Sequence, residues 1–217
     1  MGSKVIRSVL VILIVAAIEI IGAFIFYKIY SPKPRSGLSV YNNVKYGFSL
    51  EYPDKLIPQK TFKSFYHLSN KWRAEIFTDN PKGVPVVSIP IFQIDNNTGV
   101  YKSYPLYYDV EVRVGVSDDP SDVKNCLIST QESATSTIVT INGTDFWKFD
   151  LSNAGMMQYL KGYSYRTIHN NECFVMEQLA TGSSYRESPN PNDISDNVLN
   201  SYFNSAGKII ESFKFTR

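Results

Sequence analysis

Only two histidines are available for acid–base chemistry in this chain of 217 residues. His67 lies in an aromatic stretch, residues 65–68, and His169 lies in a predicted turn. Covalent catalysis needs a base beside a Ser or Cys nucleophile, and neither histidine falls in a pattern such as Gly-x-Ser-x-Gly. No glycine-rich phosphate-binding pattern occurs either. We therefore predict no catalytic residue, no metal site and no cofactor. An envelope-associated, hydrolase-like enzyme with dispersed site residues stays open as the alternative.

Two cysteines, Cys126 and Cys173, occur in the chain. Neither lies in a Cys-x-x-Cys or Cys-x-x-His spacing, so the pattern does not indicate a zinc site. A small, even number of cysteines beside a segment that could export the domain favours one disulfide. Two unrelated buried thiols are the alternative. A disulfide would place the domain outside the cytoplasm, because cytoplasmic thiols are kept reduced.

Tyrosine is the most conspicuous residue of the remaining sequence, with fifteen copies. Four of them fall within nine residues: Tyr101, Tyr104, Tyr107 and Tyr108. Exposed tyrosines are large, rigid and amphipathic, which makes them typical of recognition surfaces. We predict that these four form a partner surface. The alternative is that they line a sheet whose edges are in contact with water.

An apolar run at residues 9–27 follows a short N-terminal tail, residues 1–8, and contains a single charge, Glu19. At 1.5 Å per residue this run is about 28 Å long, close to the hydrocarbon thickness of a bilayer. Bulky residues rather than a small-x-small cleavage site follow it. We predict an uncleaved transmembrane anchor at residues 9–30. Glu19 would cost about 2.5 kcal/mol or more at mid-bilayer, which makes it a candidate intramembrane contact or a protonated, tolerated carboxyl.

Charge does not fix the orientation of this anchor. Two basic residues precede the span and three follow it, so the positive-inside rule is nearly balanced. The cysteine argument decides instead for a single-pass protein with a cytoplasmic N-terminus and its C-terminal domain outside. The chain carries a formal charge of +2, but its positive excess lies in the first forty residues. A slightly acidic remainder argues against a nucleic-acid partner; we expect the lipid bilayer and another protein, in an unknown oligomeric state.

Residues 31–39, which contain Pro32 and Pro34, are predicted to be a linker. Residues 40–217 then form one domain of ordinary size. Asn142-Gly143 between two apolar runs is the strongest hairpin signal, and residues 169–172 predict a second hairpin. Residues of strand-like composition occur at 46–53, 61–68, 73–78, 84–94, 109–116, 138–141, 146–151, 159–168 and 173–180.

Two helices are predicted among these strands. Acidic residues and Pro120 indicate a helix start within residues 118–126. An apolar stripe with spacings of three and four predicts a longer helix at residues 194–213, with a short closing strand after it. The predicted architecture is α+β, a mostly antiparallel sheet with a helix packed on one face.

The two ends of the domain resemble a known family. Tyr-Gly-Phe-Ser-Leu-Glu-Tyr-Pro at residues 46–53 and Ile-Ile-Glu-Ser-Phe-Lys-Phe at residues 209–215 resemble the opening and closing motifs of PsbP-like domains. The resemblance implies an α/β/α sandwich around an antiparallel sheet. It also implies binding or assembly at a membrane rather than catalysis. We therefore expect a membrane-anchored extracytoplasmic binding or assembly module.

Overall fold

The computed structural model describes residues 36–64, 68–74, 82–94, 107–128, 136–155, 158–183 and 194–216. The chain divides into two units, residues 1–36 and residues 37–217. The predicted anchor, with Glu19, lies outside the described residues. Among the helices that the described ranges contain, none has the length and apolar character that a bilayer crossing needs.

The described part of the second unit is built mainly from antiparallel strands. One sheet contains β1 (Leu38–Asn43), β2 (Phe48–Pro53) and β9 (Lys214–Phe215), in the spatial order β1-β2-β9. The other contains β3 (Val84–Ile94), β4 (Tyr108–Ser117), β5 (Ser136–Ile141), β6 (Thr144–Gly155), β7 (Gln158–His169) and β8 (Glu172–Ser183). Their spatial order is β3-β4-β8-β7-β6-β5. The predicted class, mostly antiparallel sheet with few helices, is confirmed.

Both predicted hairpins form with the turn chemistry that the sequence indicates. Asn142 and Gly143 join β5 to β6 with φ of 46° and 83°, and Asn170 and Asn171 join β7 to β8 with φ of 50° and 61°. Positive φ at both central residues is the requirement of a type I′ turn, which asparagine and glycine meet at low cost. The first strand, however, begins at Leu38, so the last two residues of the predicted linker are strand.

Two helices are described. Helix α1 (Pro120–Lys124) begins after Asp119, whose carboxylate accepts hydrogen bonds from the backbone N–H groups of Ser121 and Asp122. Helix α2 (Asp196–Glu211) packs on the six-stranded sheet, and we call the side it covers the helix face. The buried residues of α2 that join the core there include Ala206, Ile209 and Ile210, and those of β4 are Val110, Val112, Val114 and Val116.

The opposite side, the loop face, is covered by a segment that the sequence predicted to be strands. In the described parts of residues 61–68 and 73–78 no strand is present, apart from an isolated bridge at Leu68. The physical reason is that backbone groups of this segment bond to side chains of the sheet below. Ala74 N–H donates to Glu177, and Arg113 donates to the carbonyl of Ser69. Trp72 lies so close to β4 that a Cβ at position 115 would overlap its carbonyl oxygen, which explains Gly115.

The predicted disulfide is present and joins the end of α1 to β8. Cys126 and Cys173 are bonded, with their Cα atoms 5.7 Å apart, and both are fully buried. Trp72 and Val175 pack around them on the loop face. The bond therefore holds the segment after α1 against the sheet.

Replacing both cysteines, Cys126→Ser with Cys173→Ser, should lower the free energy of unfolding by about 4 kcal/mol. The estimate comes from the unfolded-chain entropy released by opening a loop of 47 residues. Urea unfolding of oxidised wild type, reduced wild type and the double variant measures it. The reduced wild type should match the variant. Equal midpoints for the oxidised and reduced protein would show that the bond does not stabilise the fold.

Candidate functional site

The polar residues of β4 are as deeply buried as its valines. Arg113 has 0% and Glu111 4% of its surface exposed. The strand register places four polar residues side by side across the loop face, on β3, β4, β8 and β7. We call this set the polar row: Ser88, Arg113, Glu177 and Ser164. Charges buried in this way require partners, because an isolated ion in the interior is very costly.

Arg113 finds its partners both in the sheet and in the covering segment. Its Nε donates to Glu111 Oε1 at 2.8 Å, and its Nη2 lies 2.7 Å from the same oxygen. Nη1 donates to the carbonyl of Ser69 and Nη2 to the carbonyl of Lys63, each at 2.7 Å. Glu111 also accepts a hydrogen bond from Ser88 Oγ at 2.6 Å. Arg113 therefore fastens Lys63 and Ser69 to the sheet.

The neighbouring charges act in the same way. Both carboxylate oxygens of Glu177 accept from the backbone N–H of Ala74, at 2.9 and 3.1 Å. Arg166 donates from Nε to Ser164 Oγ and from Nη1 to the carbonyl of Ile128, and its guanidinium lies 4.4 Å from the centre of the Phe149 ring. Since these contacts go to the protein's own backbone and side chains, the polar row and Arg166 hold the covering segments in place.

Asp109 lies near the start of β4, outside the polar row. Its hydrogen bonding differs from that of the residues in the polar row. Its Oδ2 accepts from Gln93 Nε2 at 2.8 Å, and Lys63 Nζ donates to Gln93 Oε1 at 3.0 Å. Its Oδ1 has no hydrogen-bond partner among the described residues. Burial, and then the nearby Glu111 charge, raise the pKa of Asp109 to about 7. This carboxyl is the described group with the properties of an acid–base residue.

A groove of about 340 Å³ opens at the same end of the sheet, beside the first turn of α2. Its wall combines three kinds of chemistry. Apolar and aromatic surface comes from Tyr108, Tyr159, Leu160 and Leu199, amides and hydroxyls from Asn153, Asn200, Ser152 and Ser183, and opposite charges from Lys161 and Asp196. A volume of this size is at the lower end of the range of ligand sites, roughly 300–1,000 Å³.

The predicted tyrosine surface is partly described and has to be corrected. Tyr108 is 1% exposed, because β4 is covered on both faces, so its side chain cannot belong to an exposed cluster. Tyr107 is partly buried and its hydroxyl lies 2.9 Å from Thr181 Oγ1; burial raises its pKa. Tyr101 and Tyr104 lie outside the described residues. Tyr108 also borders the groove, but as a buried side chain and not as part of the exposed surface that was predicted.

Of the two histidines considered for catalysis, His169 is described, and it does not line the groove. His169 stacks on Phe215 with ring centres 3.8 Å apart and meets Phe174 edge-on, so its described contacts are packing contacts. His67 lies outside the described residues. Within the described ranges, no group of three His, Cys, Asp or Glu side chains is arranged to hold a metal ion.

Sequence reasoning missed Asp109 and the charges of the polar row. It gave residues 109–116 only as a strand and assigned no role to their polar residues. A signal was present, since Asp109, Glu111 and Arg113 alternate with valine in this strand. The register then places Glu177 opposite Arg113.

Comparison with known proteins gives a likeness of fold. No protein-family model matches the sequence, and no curated protein sequence matches it. Similar solved structures include a Bacteroides thetaiotaomicron VPI-5482 protein, with 11% identity, a TM-score of 0.42, and coverage of 83% of this chain and 49% of that one. This chain thus spans about half the length of that protein.

Two further structures match over most of their length. Cyanobacterial PsbP (CyanoP) from Synechocystis sp. PCC 6803 has 10% identity and a TM-score of 0.39, covering 85% of this chain and 96% of that one. LpqN, involved in cell envelope biogenesis of Mycobacterium tuberculosis, has 13% identity and a TM-score of 0.40, covering 83% and 91%. The predicted resemblance to PsbP-like domains is confirmed in that a PsbP structure is among these neighbours. At these values the likeness concerns the fold and says nothing about activity.

Arg113→Met should lower the free energy of unfolding by about 3–5 kcal/mol, because it leaves Glu111 buried without its counter-charge. Adding Glu111→Leu to the same chain should restore part of the loss, since no unpaired charge remains. Lys124→Met, at an exposed position of α1, is the matched control and should change stability little. Chemical unfolding of the wild type, the single variant, the double variant and the control measures these differences in stability. A single Arg113 variant as stable as the control would contradict the role assigned to this residue.

Asp109→Asn should remove a pH dependence of stability. The folded pKa of about 7 lies above the value of about 3.9 expected in the unfolded chain, so the folded state binds the extra proton between these values. Wild type should therefore lose roughly 2–4 kcal/mol of stability from this group as the pH rises from about 4 to about 7. The variant should lack that loss. Parallel stability profiles for the two proteins over this pH range would show that Asp109 titrates normally.

Proposed function

We propose that this protein is a membrane-anchored, extracytoplasmic binding or assembly module without catalytic activity, and that its partner binds in the groove beside α2. The observation that carries the proposal is the wall of the groove. It joins an apolar floor around Leu160 and Leu199 to amide groups and to the opposite charges of Lys161 and Asp196. Such a combination is typical of recognition sites, in which apolar contact supplies affinity and a few polar groups fix orientation.

The partner that fits this wall best is a short segment of another protein. Asn153 and Asn200 offer amide groups that can exchange hydrogen bonds with a peptide backbone. Tyr159 and the two leucines can take one or two apolar side chains, and a charge on the segment can pair with Lys161 or Asp196. The volume of about 340 Å³ suits a segment of a few residues rather than a whole domain face.

The location and the finer architecture belong to the same proposal. The apolar run at residues 9–27 supports a single-pass anchor with a cytoplasmic N-terminus. The Cys126–Cys173 disulfide supports an oxidising compartment for the domain. Helix α2 on one face, with α1 and residues 68–74 on the other, supports the α/β/α sandwich that the PsbP-like motifs imply.

A second candidate is a hydrolase-like envelope enzyme, and Asp109 is the observation that favours it. A buried carboxyl with a pKa of about 7 is suited to general acid–base catalysis near neutral pH. Asp109 is not among the residues of the groove wall, however, so a ligand in the groove would not meet this carboxyl directly.

Site-specific photo-crosslinking in membranes tests the proposal. A photoreactive amino acid at position 200, in the groove, should give one discrete crosslinked protein from cells that contain the full chain. The matched control is position 208, which is exposed on the same helix about two turns away, or roughly 12 Å. It should give no such product.

A blocking variant extends this test. Lys161→Glu, which reverses a charge in the wall, should weaken the crosslink at position 200 by about tenfold if a negative group of the partner binds there. Identical products from positions 200 and 208, or none from position 200, would rule out the groove as the binding site. A hydrolytic activity that is lost in Asp109→Asn while the crosslink persists would favour the enzyme instead.

A further inference from the structure

Strand β5 is the last strand at one edge of the six-stranded sheet, and no strand pairs with its outer side in the described part of the chain. Its sequence, Ser-Thr-Ile-Val-Thr-Ile, contains no charge and no proline, and its register with β6 is regular. Five of its six residues are β-branched and have high strand propensity. An edge of this kind is a template for a further strand.

The opposite edge of the same sheet is protected. Strand β3 contains Pro85 and Pro90, and its pairing with β4 is interrupted by two register shifts. Gln59 also exchanges backbone hydrogen bonds of 2.7 and 2.8 Å with Ser88 on the outer side of this strand. Prolines, bulges and covering segments are the usual devices that prevent edge pairing. Strand β5 contains no proline, and its pairing with β6 contains no bulge.

Apolar side chains lie exposed beside this open edge. Ile138 is 59% exposed and stands opposite Trp147 of β6, which is 36% exposed. Trp147 pairs with Arg166 of β7. Ile168, which is 44% exposed, lies two residues after Arg166 and therefore on the same face as Trp147. We call Ile138, Trp147 and Ile168 the edge patch. Together with the uncharged edge it offers both backbone groups and apolar area to a partner.

We propose that a second copy of this chain pairs with β5 in antiparallel orientation, about a two-fold axis at Ile138. The register follows from the turn. In a two-residue hairpin the flanking residues Ile141 and Thr144 exchange hydrogen bonds. The backbone groups of Ser136, Ile138 and Thr140 therefore point outward. Placing the axis at Ile138 sets Ser136 of one copy opposite Thr140 of the other and gives three hydrogen-bonded pairs, about six bonds.

The chemistry of the edge selects a second copy as the occupant. The complementary strand must be uncharged, free of proline and β-branched, and β5 is itself such a strand. In this register no like charges oppose each other on the paired strands, because β5 itself contains no charge. The described charges of the neighbouring strand, Asp145 and Lys148, lie one strand away on β6. The two-fold axis also brings the two edge patches together, so that Ile138 packs on Ile138. The pairing is independent of the groove, whose wall contains no residue of β5.

A charge-reversal pair tests the proposal on the full chain in detergent micelles, with mass measured by light scattering. Wild type should be a dimer. Ile138→Lys should raise the dimer dissociation constant by about tenfold or more, because two ammonium groups would face each other across the axis. Ile138→Glu should do the same, and an equimolar mixture of the two variants should form a heterodimer. Since Ile138 is largely exposed in the single chain, the fold should tolerate both changes.

Cysteine crosslinking checks the register. Ile138→Cys should form an intermolecular disulfide under mild oxidation, because directly opposed Cα atoms of a hydrogen-bonded pair lie about 5.5 Å apart. Ser136→Cys, on the same strand and face, places its two copies four residues, or about 13 Å, apart along the strands, and should not crosslink. A monomeric wild type, a dimer that Ile138→Lys leaves intact, or equal crosslinking at both positions would overturn the proposal.

Discussion

The fold depends on how it satisfies the charges buried on one face of its larger sheet. Arg113, Arg166, Glu111 and Glu177 each have 5% or less of their surface exposed. Leaving one such ion unpaired would cost several kcal/mol, a large part of the 5–15 kcal/mol that stabilise an ordinary domain. Each therefore has to be matched before the sheet can be covered. The matching groups include backbone groups of Lys63, Ser69, Ala74 and Ile128. The irregular cover of the loop face follows from this requirement.

The same requirement explains why the two faces of the sheet are built differently. On the helix face, valines, phenylalanines and α2 form an apolar core that tolerates small shifts. On the loop face, each covering segment is held by directional hydrogen bonds to a particular guanidinium or carboxylate, which fixes its position. Gly115 permits the closest approach of that cover, at Trp72. A polar network of this kind stabilises one arrangement only when all its members are satisfied.

The sequence predicted the parts of this fold that local patterns determine. Asn142-Gly143 and the helix stripe of residues 194–213 are short-range signals, and both appear where they were predicted. Residues 61–68 have strand composition, yet the part of them that is described contains no strand. The reason is that Arg113, which bonds the carbonyl of Lys63, lies 50 residues away in the chain. Composition does not show such partners. The groove was beyond prediction for a similar reason, since its wall comes from five separate elements, the strands β4, β6, β7 and β8 and the helix α2.

A sheet that is covered over much of both faces can offer binding surfaces at its strand ends and its edges. The strand ends near Tyr108 and Leu160 leave the groove open beside the first turn of α2. Of the two edges, β3 is interrupted by prolines and covered in part by Gln59, whereas β5 keeps a regular, uncharged row of backbone groups. A groove at the strand ends and a pairing strand at the edge use different atoms, so one subunit can hold a partner segment and a second copy at once. Two copies joined through β5 would then present two grooves on one continuous sheet. For a partner with two matching segments, a bivalent surface of this kind increases apparent affinity without any new contact.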